Sequence, residues 1–178
     1  MPRYVAFLRA INVGGHTVKM DVLRGLFRDL GFANVETFIA SGNVIFETKV
    51  SASSPLERKI ETHLETALGY GVATFVRTVD ELRAVRAHQP FALKALESAH
   101  ALNIGFCKES LSPAAVAAVM ALKTGIDDFH IHGRELYWLC RKKQSESAFS
   151  NKQFERAIQG VATLRGASTV AKLAAKYP

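Results

Sequence analysis

VETFIASGNVIFET, Val35–Thr48, is the stretch whose reading decides the fold. Val35 to Ala40 and Val44 to Thr48 are short runs rich in β-branched and aromatic residues, and Ser41-Gly42-Asn43 between them carries turn chemistry, so the stretch reads as a β-hairpin. Upstream, Lys19 to Leu30 places Met20, Leu23, Leu26, Phe27 and Leu30 at helical spacing, with Gly31 poised to end the helix in a left-handed cap. Before that, residues 3 to 13 read as a buried strand, because both alternating sets are apolar apart from Arg9. The order so far is strand, helix, strand, strand.

Downstream the order completes. Ser54 as cap, Pro55 in the first turn and Glu57 three residues on announce a second helix, whose Leu56, Ile60, Leu64 and Leu68 share a face and which Gly69 and Gly71 end. Val72 to Arg77 follows as a strand, and Thr78-x-x-Glu81 opens a third helix that must stop before Pro90. This is βαββαβ, the ferredoxin-like order. Residues 96–178 repeat much of it: a strand over Leu102 to Cys107, a helix from Ser112-Pro113 to about Lys123, and a hairpin of Asp128 to His132 and Glu135 to Cys140 across Gly133-Arg134. A helix over Lys152 to Gly160 and a last one over Thr169 to Lys176 follow. The fold class expected is α+β, with two ferredoxin-like βαββα(β) subdomains, 1–95 and 96–178, related by a duplication of layout in which turns and caps agree.

A chain of 178 residues that is 48% hydrophobic has room for such a pair of small cores. No apolar run approaches the roughly 18 residues of a membrane span, and MPRYVAFLRAI, with Arg3 and Arg9 and no small-residue cleavage site, does not read as a secretory leader. Cys107 and Cys140 are too few and too far apart for a disulfide framework or a zinc site, and read as buried free thiols of a cytoplasmic protein. The net charge of +7 is uneven: residues 141–178 hold eight Lys/Arg against two Glu. Such asymmetry fits a polyanion partner or a solvated helical face.

In a βαββαβ layout the first two strands run the same way and the third returns between them, so the end of strand one and the hairpin tip share an edge. Arg9, Asn12, Gly14, Gly15, Lys19, Ser41, Gly42 and Asn43 therefore gather at one end of the first sheet, beside the amide groups and positive dipole end of the first helix. These residue types suit a phosphate or carboxylate: Arg as a bidentate clamp, Lys as a point charge, Asn and Ser as orienting groups. The same residues also serve ordinary turn chemistry. Arg9 stands apart, because a guanidinium in an apolar strand must be paired with an acidic residue such as Glu36, with carbonyls, or with a ligand.

Neither GxGxxG nor GxxxxGKS occurs, so no nucleotide cofactor is expected, and no nucleophile elbow or spaced Ser/His/Asp set marks a hydrolase. Asp128, His130 and His132 share one strand face with metal-ligand residue types, but Phe129 and Ile131 fill the other in the ordinary pattern of a half-exposed strand, and no metal is assigned. Arg141-Lys142-Lys143 follows Tyr137 and Trp138, an aromatic-basic pairing that suits nucleic acid or a core strand with a solvated end. SGNVIFET has Gly42 where the ribonucleoprotein octapeptide has glycine, but Asn43 and Ile45 where the stacking aromatics belong.

The stretch YVAFLRAINVGG…VKMDVLRGLFRDLGFANVETFIASGNVIFET, Tyr4 to Thr48, resembles the bacterial family designated domain of unknown function 1697. Members open with L-R-x-I-N-V-G-G, carry V-x-M-x-x-L-R before a helix ending in L-G-F, and continue with T-[YF]-x-x-S-G-N-V-[VI]-F. Toward the end the family shows Ser-Lys-x-Thr-Asn and Thr-Arg-Asn-Trp-x-Thr-[VI]. Here Ser147-Ala148-Phe149-Ser150-Asn151 lacks the lysine, and Leu164-Arg165-Gly166-Ala167-Ser168-Thr169-Val170 lacks the Asn-Trp pair. The resemblance implies two ferredoxin-like subdomains and no particular activity. Three readings stand: a binder, catalytic or not, of a small anionic ligand at the first sheet end; a nucleic-acid-binding module using the basic region; and a non-catalytic homodimeric interaction protein.

Overall fold

The computed structural model describes residues 1–12, 14–39 and 42–177. The chain divides into two compact units, Met1–Glu81 and Leu82–Pro178, a boundary earlier than residue 95.

The first unit contains β1 (Arg3–Leu8), α1 (Met20–Asp29), β2 (Ala33–Thr37), β3 (Asn43–Glu47), α2 (Ser53–Leu68) and β4 (Thr74–Thr78), followed by the start of α3 (Val79–Ala87). Its strands form an antiparallel sheet ordered β2-β3-β1-β4, the ferredoxin-like arrangement. One sheet face supplies Tyr4, Ala6, Leu8, Val44, Phe46 and Val76 to a core that α1 covers with Leu23 and Phe27 and α2 with Leu56, Ile60 and Leu64, all buried. Fully burying each such side chain is worth about 1.5–3 kcal/mol, which outweighs the weak propensities of these short elements.

Local signals act largely as their chemistry dictates. Gly31 and Gly69 take left-handed φ of 81° and 83° and close α1 and α2. Thr78 and Glu81 form a reciprocal capping box, Glu81 N to Thr78 Oγ1 at 3.0 Å and Thr78 N to Glu81 Oε2 at 2.7 Å. Two starts and stops differ from expectation. α2 begins at Ser53 with Ala52 as its cap, so Ser54 lies inside the first turn, where Pro55 is tolerated because no intrahelical N–H is needed there. β1 stops at Leu8, so Arg9 lies beyond the strand and not within it: Ala10 turns left-handed at φ 54°, which no strand continues through.

The second unit contains the rest of α3, then α4 (Leu93–Ser98), β5 (Ala101–Phe106), α5 (Pro113–Met120), β6 (Asp127–His132), β7 (Glu135–Cys140), a 3-10 turn at Gln144–Glu146, α6 (Asn151–Ile158), β8 (Thr163–Gly166) and α7 (Ala167–Lys176). Its antiparallel sheet is ordered β6-β7-β5-β8, the same topology again. Phe129, Leu136, Trp138, Cys140, Phe149 and Phe154 form its core with Val119. Asp127 is buried within it and fully engaged, accepting from Trp138 Nε1 at 2.8 Å and Ser147 Oγ at 2.6 Å.

The repeat reaches one residue deeper than turns and caps. Arg77 in β4 and Arg165 in β8 are both buried in the last strand of their unit, and each donates from Nη1 to the carbonyl of the residue before it, Val76 at 3.0 Å and Leu164 at 2.9 Å. Burial pulls Arg165 down to about 10.

Candidate functional site

At one end of the first sheet the chain leaves β1 and runs through residues 9–19 into α1, while the hairpin between β2 and β3 closes alongside. The two segments meet. Leu8 N donates to Gly42 O at 2.9 Å, and a Cβ at Gly42 would stand 2.9 Å from Ile11 Cγ2 and 3.2 Å from Leu8 Cβ. Only glycine fits that left-handed, closely approached position. The loop is also held from below: Tyr70 OH donates to Ile11 O at 3.0 Å, and the His16 ring stacks on Tyr70 with centroids 3.8 Å apart.

The expected site residues sort into two groups. Asn12 Oδ1 accepts from Val18 N at 2.7 Å, and buried Asn43 donates from Nδ2 to Phe38 O at 2.9 Å, so both amides brace the loops. Gly42 is the packing point. Arg9 is half-buried, with its amide donating to Ala73 O at 2.9 Å. Gly14 and Gly15 are exposed and left-handed, and Lys19 is the exposed cap residue of α1, making no side-chain capping bond. Asp21, in the first turn of that helix, is paired with Arg24, whose Nη1 also donates to Thr37 Oγ1 at 2.7 Å. Ser41 lies outside the described residues.

Tyr137 and Trp138, the aromatic pair beside Arg141-Lys142-Lys143, are buried in the core, and Tyr137 OH donates to Val85 O at 3.0 Å. Burial, then the Glu135 charge, raises the Tyr137 hydroxyl well above the ordinary phenol value.

A second constellation lies in the second unit, and sequence reading saw two-thirds of it. His130 and His132 do share a face of β6, but Asp128 is not their partner. Its carboxylate faces Lys123 Nζ at 3.4 Å and Arg141 Nη2 at 3.9 Å and accepts from Phe129 N. The third member is His88, just past α3, whose Nε2 stands 3.1 Å from His130 Nε2 and whose ring stacks on His132 with centroids 4.1 Å apart. One nitrogen from each of the three lies within 4.8 Å of the others. Burial first, then the charges His132 and His130 would carry, hold His88 below the ordinary imidazole value. His88 also lines a cavity of about 250 Å³ walled by Val85, Pro90, Leu102, Ile104 and Val170. No spacing rule links a residue 42 positions upstream to a strand pair, so nothing in the sequence pointed to it.

A family model described as a protein of unknown function (DUF1697) matches residues 1–137. The chain belongs to the DUF1697 family. The match ends before Ser147–Asn151 and Leu164–Val170, the two segments expected to depart from the DUF1697 pattern. The structure gives those segments framework roles: Ser147 on Asp127, Phe149 in the core, Ser150 capping α6, and residues 164–170 building β8 and the start of α7. No curated protein matches the chain. Among solved structures, that of the conserved bacterial protein SP0830 from Streptococcus pneumoniae is similar over 97% of each chain, with a TM-score of 0.79 and 24% identity, a likeness of fold. Among the described residues no helix is long and apolar enough to cross a membrane.

Proposed function

We propose that this protein binds a small anionic ligand, carrying a phosphate or a carboxylate, at the end of its first sheet. In this reading Arg9 and Lys19 supply charge, the exposed amides around Gly14 and Gly15 and the first turn of α1 supply donors, and Asn12, Gly42 and Asn43 hold the frame. One observation carries it. Of the ten left-handed backbone positions among the described residues, five (Ala10, Gly14, Gly15, Ile39 and Gly42) lie at this one end.

Two of those five are not glycine, and Ile39, at φ 59°, is β-branched and half exposed. Holding such residues left-handed costs about 1–3 kcal/mol each, and strain of this kind concentrates where a loop is shaped in advance for a ligand. Charge supports the same reading, since Arg24 offsets the one acidic side chain in the first turn of α1. The reading is of a cytosolic bacterial protein, in keeping with both cysteines being buried free thiols. A thermal-shift screen of phosphorylated and carboxylated metabolites against wild type and Arg9→Ala tests it. Stabilisation of wild type that shrinks in the variant is expected, and equal shifts in both proteins would count against the site.

A further inference from the structure

We propose that His88, His130 and His132 form a binding site for a divalent late-transition metal ion of the zinc class, in the second unit and independent of the anion site in the first. The three rings satisfy only part of their hydrogen-bonding capacity among themselves. Two neutral imidazoles whose Nε2 atoms stand 3.1 Å apart share one hydrogen bond, one donating and one accepting. The third, His132, is stacked on His88 and contributes a ring nitrogen to the same small space.

The spacing of two of the three nitrogens suits a metal. Zinc–nitrogen bonds of about 2.0–2.1 Å in a tetrahedral site place ligand nitrogens roughly 3.3 Å apart. His88 and His130 are already near that separation. His132 is exposed, so its ring can turn inward without displacing core atoms.

The donor type points to the class of ion. All three ligands are imidazoles, and Asp128 is committed to Lys123 and Arg141, so the set holds no oxygen donor for a calcium- or magnesium-like ion. Tyr137 packs its ring edge against His88 and His130 and spends its hydroxyl on Val85, which makes it a positioning residue and not a ligand. Three histidines leave a tetrahedral ion with one open position, for water or for a small-molecule donor. Because His88 also lines the apolar cavity, a ligand seated there would lie beside the ion.

The test uses untagged full-length protein stripped with chelator and titrated calorimetrically with Zn²⁺, and with Co²⁺ as a spectroscopic probe. One equivalent of Zn²⁺ is expected, with Co²⁺ giving the intense visible bands of a four-coordinate site. His88→Gln, His130→Gln and His132→Gln should each weaken Zn²⁺ binding about ten-fold or more, while His100→Gln, at an exposed position outside the cluster, leaves it unchanged. Circular dichroism of the stripped variants checks folding, and His132→Gln, at an exposed position, keeps the test decisive if His88→Gln fails to fold. Absence of stoichiometric binding, or affinity in His132→Gln equal to wild type, would overturn the proposal.

Discussion

Leu8 and Gly42 are joined by a backbone hydrogen bond of 2.9 Å that ties the last residue of β1 to the hairpin tip. That bond, with Ile11 packed against the bare Cα, is what brings the loop after β1 and the β2–β3 turn into one neighbourhood. Gly42→Ala should therefore destabilise the protein by about 2–4 kcal/mol, combining the left-handed penalty with overpacking against Ile11 and Leu8. Urea denaturation measures it, and a loss under about 0.5 kcal/mol would mean the two segments are not held together in this way.

Tyr70→Phe removes only the hydroxyl that reaches Ile11, leaving the His16 stack. We expect about 1 kcal/mol of lost stability, with faster amide exchange confined to the loop around Ile11 and Asn12. Unchanged exchange there would show that the loop is held by other contacts.

Asp127 anchors the second core by accepting from the Trp138 indole and the Ser147 hydroxyl. Asp127→Ala strands a buried indole N–H and should cost about 2–4 kcal/mol, against about 1 kcal/mol for Ser147→Ala. Chemical denaturation of the two variants separates the indole bond from the hydroxyl bond, and equal costs would contradict the assignment.

The depressed His88 value gives stability a pH dependence in metal-free protein. Its folded value lies below the ordinary 6.5 of the unfolded chain, so as pH falls through about 6.5 the unfolded state takes the proton first and stability is lost until the folded value is passed. The groups facing His88 are His130, His132 and the edge of Tyr137. Denaturation midpoints measured at about pH 7.5 and 5.5 should differ less in His88→Gln than in wild type. A wild-type slope fully retained in the variant would assign it to other groups.

Much of this architecture was legible because it rests on local chemistry. Gly31, Gly69, the Thr78/Glu81 box and the Ser112-Pro113 start each carry their own stop or start signal, and the helical spacing of Leu23 and Phe27 or of Leu56, Ile60 and Leu64 names the core face directly. What escaped was short or non-local. β8 has four residues with Arg165 among them, too few for an alternation to show, and α4 buries none of its residues and so has no periodic face. Arg9 read as a strand residue because the turn at Ala10 depends on backbone strain that an alanine does not announce. The meeting of Gly42 with Ile11 followed from strand order, whereas the commitment of Asn12 and Asn43 to bracing bonds depended on side-chain geometry. His88 joins His130 and His132 only through tertiary packing.

An anion held at the first sheet end would be detected by an amide chemical-shift titration of the isotopically labelled full chain with inorganic phosphate and with a panel of small carboxylates. Saturable shifts centred on Gly14, Gly15, Lys19 and the first turn of α1 are expected, and their loss in Arg9→Ala. Shifts spread over the basic residues 141–178, or none at this end of the sheet, would contradict it.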